Sequence, residues 1–128
     1  MSNPQALIID DNRLNIDVLT MMLSNEGVSY VSLDSPRHLA KTLDQMESVD
    51  VVFLDLEFPN GSGFKLLEQL KADSRLDGVP VVAYTVHTSK INEVRRAGFH
   101  SLLGKPLDVA RFPQQLNRIL RGVPVWEV

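Results

Sequence analysis

Cysteine is missing from all 128 residues, which excludes disulfides and thiolate metal sites and permits a reducing compartment. No apolar run approaches the roughly 20 residues of a membrane span. The Met1-Ser2-Asn3-Pro4 start lacks the basic and apolar regions of a signal peptide. A cytoplasmic protein without a membrane partner is the plain reading. Basic residues are in the minority, and a net charge of -3 has the wrong sign for a surface that neutralises phosphates, so direct nucleic-acid binding is not expected. No glycine-rich phosphate loop follows any apolar run, which argues against a flavodoxin-like nucleotide binder. Internal repeats beyond the strand-helix alternation, low-complexity tracts and linkers are absent as well.

What remains is ordinary globular material, 44% hydrophobic and 23% charged, of a length that fits one domain with one core. Short apolar runs suited to buried strands alternate with helical patterns. Ala6-Leu7-Ile8-Ile9 is followed by Leu14, Val18, Leu19, Met22 and Leu23 at helical spacing before Gly27. Val28 to Val31 reads as a weaker strand, and Ser35-Pro36 starts a helix with Leu39, Ala40 and Leu43 on its inner face. Val51-Val52-Phe53-Leu54 is the clearest buried strand, with Phe64, Leu67 and Leu70 beyond the Pro59-Asn60-Gly61-Ser62-Gly63 loop. Val81-Val82-Ala83-Tyr84 then precedes Ile91, Val94 and Ala97. Ser101-Leu102-Leu103-Gly104 precedes Val109, Phe112, Leu116, Ile119 and Leu120. Pro113 conflicts with a helix interior, so the last helix is expected to start late, near Ala110 or Arg111.

Five such units with right-handed crossovers make an α/β fold, a doubly wound five-stranded parallel sheet with helices on both faces. With strand order 2-1-3-4-5, the switch point lies between the first and third strands and sets Asp11 beside Asp55. Asp10-Asp11, Asp55, Thr85 and Lys105-Pro106 all follow apolar runs, so the shared carboxyl edge of the sheet brings them to one crevice. Three acids, a hydroxyl and an ammonium describe a divalent-metal site built around phosphoryl chemistry. Asp10 and Asp11 also suit a helix N-terminus, and capping is compatible with metal binding.

These residues resemble the receiver domain of two-component response regulators, whose fold is flavodoxin-like or CheY-like. Leu7-Ile8-Ile9-Asp10-Asp11-Asn12 resembles the family's acidic pair, and Asp55-Leu56-Glu57-Phe58-Pro59 with Gly63 resembles its phosphoacceptor segment. Thr85, Lys105-Pro106 and the small pair Ala97-Gly98 complete the likeness. It spans essentially the whole chain, so residues 1–128 are expected to form one receiver domain without an output domain.

The resemblance implies that Asp55 is phosphorylated from a histidine kinase or histidine phosphotransfer protein, and that the chain is a signalling module rather than an enzyme. It implies Mg²⁺ held by Asp10, Asp11, Asp55 and the backbone carbonyl of Glu57, with Asp10 acting mainly through water. Lys105 would balance the acids and then pair with the phosphoryl oxygens, and Thr85 would reach the modified Asp55. In the family the peptide joining residues like Lys105 and Pro106 is cis. Output would pass to a protein partner in trans, with a phosphorylation-dependent homodimer as one form of that contact.

Departures from the family pattern fall on the switch. Leu102 stands where the family carries Tyr or Phe, which puts coupling through an aromatic ring in doubt. Val86 replaces a small residue beside Thr85, Glu57 places a carboxylate two residues after the acceptor, and Phe58 replaces a common Met. Two alternatives follow: a degenerate receiver that signals by binding alone, and a small aspartate-nucleophile phosphatase using Asp55 and Glu57. His38, His87 and His100 lack ligand spacing and read as surface residues, with His87 near enough to Thr85 to border the pocket. The Val123–Val128 tail with the only Trp reads as packed or disordered rather than as a docking tail.

Overall fold

β3 (Val51–Asp55) and β4 (Val81–Thr85) are buried at every position, as strands sandwiched between two helical layers must be. The computed structural model describes residues 3–57 and 63–127. Before β3 come β1 (Gln5–Ile9), α1 (Arg13–Asn25), β2 (Ser29–Leu33) and α2 (Leu39–Gln45). The remaining elements are α3 (Gly63–Lys71), α4 (Ile91–Ala97), β5 (Ser101–Gly104), α5 (Phe112–Leu120) and β6 (Trp126–Glu127). The sheet is parallel with order β2-β1-β3-β4-β5, and β6 is added beyond β5. The five-stranded core of the expectation is therefore present in the expected order. The 59–62 loop and the Phe58 substitution lie outside the described residues.

Registers pair Ile9 with Leu54, Asp55 with Tyr84, and Thr85 with Gly104, so the carboxyl ends of four strands lie nearly level. Side-chain alternation sends Ala6, Ile8, Phe53 and Tyr84 to the layer formed by α1 and α5, and Leu7, Leu54, Ala83 and Leu102 to the layer of α2, α3 and α4. Each fully buried aliphatic side chain contributes on the order of 1.5–3 kcal/mol, so the frame under the site is firm.

Some helix faces differ from the reading of periodicity. In α1 the buried residues are Ile16, Leu19, Met22 and Leu23, whereas Leu14 is 75% and Val18 43% exposed. Ala40, Ala97 and Val109 are exposed too. The segment before α2 begins as a 3-10 turn, Pro36–His38, capped by the Ser35 side chain. Pro113 lies in the first turn of α5, where its missing N–H has no helical partner to lose, which removes the conflict. Gly98 ends α4 with φ 102°, a left-handed conformation that side chains resist.

Through residue 127 the C-terminal segment packs on the sheet as β6. Trp126 pairs with Leu102 and Glu127 with Leu103; the Leu102 N–H donates to the Val125 carbonyl at 2.8 Å, and the Val125 N–H to Ser101 Oγ at 2.9 Å. The Arg95 guanidinium of α4 stands 4.7 Å above the Trp126 ring. Among the described residues no helix is long and apolar enough to cross a membrane.

Candidate functional site

The first acidic pair sits where β1 gives way to α1, and the cap of that helix is neither acid. Asn12 Oδ1 accepts the Asn15 N–H at 3.1 Å, and Asp10 Oδ1 in turn accepts the Asn12 N–H at 2.8 Å. Asp10 is fully buried, Asp55 is 2% exposed, and Asp11 is exposed. One oxygen from each carboxylate lies within 4.8 Å of the others, and no histidine joins them among the described residues. That set of hard oxygen donors with excess negative charge fits a divalent cation such as Mg²⁺. Burial raises the Asp10 pKa above its ordinary value, and the nearby Asp55 charge adds to the rise against bonds from Tyr84 and the Asn12 N–H.

Lys105 is the counterweight. Its ammonium lies 2.9 Å from Asp55 Oδ1, 4.0 Å from Asp10 and 3.8 Å from Glu57, with the side chain only 9% exposed. The Lys105-Pro106 peptide is cis. Asp55 Oδ1 also accepts the Glu57 N–H at 2.9 Å. Gly63, at the start of α3, lies so near Leu56 that a Cβ there would meet Leu56 Cδ2 at 2.7 Å; a larger residue would press on the segment following Asp55.

Thr85 is fully buried, donating its hydroxyl to Glu57 Oε2 at 2.5 Å and accepting the His87 N–H at 2.9 Å. His87 therefore meets Thr85 through its backbone. His38 and His87 are exposed, whereas His100 is half-buried against Ser101 and Gly122. A cleft of about 520 Å³ opens over the site, lined among others by Asp11, Asn15, Asp55, Glu57, Val86 and Lys105. Val86 sits at this opening, as expected, and is 57% exposed. Leu102 faces the other layer, buried in the aliphatic cluster with Val94 and Phe99.

One residue was overlooked. Tyr84 reads in sequence as the last member of a buried strand, but its hydroxyl donates to Asp10 and its ring lies 4.5 Å below the Lys105 ammonium. Burial and the hydrogen bond to Asp10 raise the pKa of this phenol, which favours its protonated, donating form. The available signal was a lone polar aromatic in an aliphatic strand, one residue before Thr85.

Comparison with known proteins names the class. Residues 6–117 match the family model described as response regulator receiver domain, and the chain belongs to that family. It is 28% identical to the polar-differentiation response regulator DivK of Brucella ovis over 117 residues, covering 90% of this chain and 94% of that one. The chemotaxis response regulator CheY4 of Vibrio cholerae shares its fold with a TM-score of 0.80 at 20% identity, covering 91% of this chain and 98% of that one. The receiver domain of the sensor histidine kinase PA1611 from Pseudomonas aeruginosa PAO1, solved with a magnesium ion coordinated in its active site cleft, gives 0.78 at 21% identity, covering 93% and 98%. Membership makes this chain a two-component signalling module facing a histidine kinase, not an enzyme. The Glu57 carboxylate that the phosphatase alternative would use accepts from the Thr85 hydroxyl and the Val86 N–H.

Proposed function

We propose that this receiver takes a phosphoryl group onto Asp55 from a histidine kinase or histidine phosphotransfer protein and signals through phosphorylation-dependent contact with a protein in trans. The observation that carries the reading is the Asp55 carboxylate itself, buried at the floor of an open cleft with the Lys105 ammonium 2.9 Å away. An Asp55 oxygen forms the new bond to phosphorus as the P–N bond of the donor breaks. The electron pair stays on the imidazole nitrogen, which takes a proton from solvent.

Asp11, Asp55 and the Glu57 carbonyl would hold Mg²⁺ directly and Asp10 through water, a reading supported by the clustered acids. When bound, the ion supplies positive charge that offsets the equatorial oxygens of the transferring group. Lys105 neutralises the second side of that group, and Thr85 offers its hydroxyl as a donor to the product. Tyr84 orients Asp10 and favours its charged form against the effect of burial.

Intact-mass measurement after incubation with acetyl phosphate and Mg²⁺ tests the proposal. One labile phosphoryl adduct in the native protein and none in Asp55→Asn is the expected result; an adduct that persists in the variant refutes it. A binding-only receiver is the second reading, favoured by Leu102, which is fully buried and has no ring to relocate. Partner affinity that phosphorylation leaves unchanged would select it.

A further inference from the structure

Glu57 does not spend its carboxylate on solvent, although it is only partly buried. Its own N–H faces Asp55, while its side chain arcs across to the end of β4. There Oε2 accepts the Thr85 hydroxyl at 2.5 Å, Oε1 accepts the Val86 N–H at 3.0 Å, and the Lys105 ammonium stands 3.8 Å from Oε1. The Thr85 oxygen is occupied by the His87 N–H, which leaves its one proton aimed at Glu57. A hydroxyl, a backbone amide and an ammonium thus converge on one anion beside the acceptor. Three donors of this kind around a small anionic group form an oxyanion site.

We propose that Glu57 is a resident anion in the donor set that would bind the phosphoryl group on Asp55, so that phosphorylation is an exchange in which Glu57 is displaced. The inference rests on the acceptor reading above. A phosphoryl group brings nearly two charges and three acceptor oxygens against one charge and two oxygens, so it takes the donors once attached. Glu57, at the mouth of the cleft and 28% exposed, has solvent to swing into. Two consequences follow. Thr85 and the Val86 amide are already drawn toward the acceptor before phosphorylation, and Glu57 slows loading because its departure must accompany arrival of the phosphoryl group. Glu57 is thereby a positioning residue that acts through Thr85, Val86 and Lys105.

The test uses the full chain. Amide hydrogen exchange at Val86 should quicken about tenfold in Glu57→Ala, the loss of one charge-assisted hydrogen bond. It should slow again when that variant is incubated with acetyl phosphate and Mg²⁺, a recovery that a merely structural role for Glu57 would not produce. Adduct formation followed by intact mass should be at least about threefold faster in Glu57→Ala than in the native protein, with Glu57→Gln, which keeps the bulk and one acceptor oxygen, between them. Unchanged Val86 exchange, or loading no faster in Glu57→Ala, overturns the proposal. If neither protein forms an adduct, the acceptor reading fails and the exchange proposal falls with it, while quickened Val86 exchange then establishes only the Glu57 contact.

Discussion

The Tyr84 hydroxyl donates to the carboxylate of Asp10 across the intervening strand β3, and the same ring supports the Lys105 ammonium at 4.5 Å from its centroid. One buried side chain therefore orients an acid and a base of the site together. Its effect is to keep charge on Asp10 that burial opposes, and burial prevails.

That balance sets a pH dependence. Asp10 binds its proton more tightly in the folded chain than in the unfolded one, whose ordinary value is 3.8. Its stabilising contribution is complete below that value and is lost as pH rises through the raised folded value. Asp10→Asn should accordingly stabilise the metal-free protein at pH 7 and flatten this part of the curve. Urea midpoints across the acid range check both; a variant weaker than the native protein at pH 7 contradicts the assignment.

Magnesium should stabilise the native fold through the same carboxylates. At tenfold excess over its dissociation constant the gain is about 1.4 kcal/mol. Asp11→Asn should lose most of that gain with little change in the metal-free midpoint, because Asp11 is exposed. Thermal melts with and without MgCl₂ compare the two proteins directly.

Lys105→Met keeps an apolar stem over Tyr84 and removes the only cation within 4.0 Å of Asp10 and Asp55 among the ion pairs of the described residues. The uncompensated acids should cost about 3 kcal/mol at pH 7. The cost should shrink at a lower pH, as Asp10, whose pKa burial raises, takes up a proton. Denaturant curves at the two pH values decide it, and an equal cost at both would contradict the electrostatic cause.

Val86 places two methyl groups at the cleft opening, exposed rather than packed. Phosphoryl turnover should be slow, and Val86→Ala should speed loss of label several-fold by admitting water. Rapid loss that this substitution leaves unchanged removes Val86 as the barrier.

Trp126 holds β6 in place by pairing with Leu102 and packing beneath Arg95. Trp126→Ala should cost about 1–2 kcal/mol, less than a fully buried ring would. Exchange of the Leu102 amide, bonded to Val125, should quicken while that of Leu54 in β3 holds steady. Equal protection at Leu102 in both proteins would show that β6 stands without its ring.

The legible part of the site was its ring of strand-end residues. Asp10, Asp11, Asp55, Thr85 and Lys105 could be placed because a parallel sheet collects its carboxyl ends at one edge, whatever the packing beneath. Tyr84 could not be assigned, since whether a buried phenol meets a partner depends on a strand two positions away in the sheet. Glu57 was legible as a carboxylate two residues after Asp55, but its direction toward Thr85 and Val86 was not. In α1 two ridges share helical spacing, Leu14-Val18-Met21 and Ile16-Leu19-Leu23, and only docking on the sheet buried the second.

Alternation of apolar runs and helical stripes, by itself, determined the layer architecture and the identity of the clustered acids, because those follow from chain direction and local periodicity; the strand order 2-1-3-4-5 came with the doubly wound fold and not from the periodicity. Tertiary structure alone decided which way each polar side chain turns inside the cleft, which helix ridge faces inward, and that the C-terminal residues extend the sheet. Those outcomes depend on contacts between residues far apart in the chain, where distance and burial, rather than spacing, select the partner.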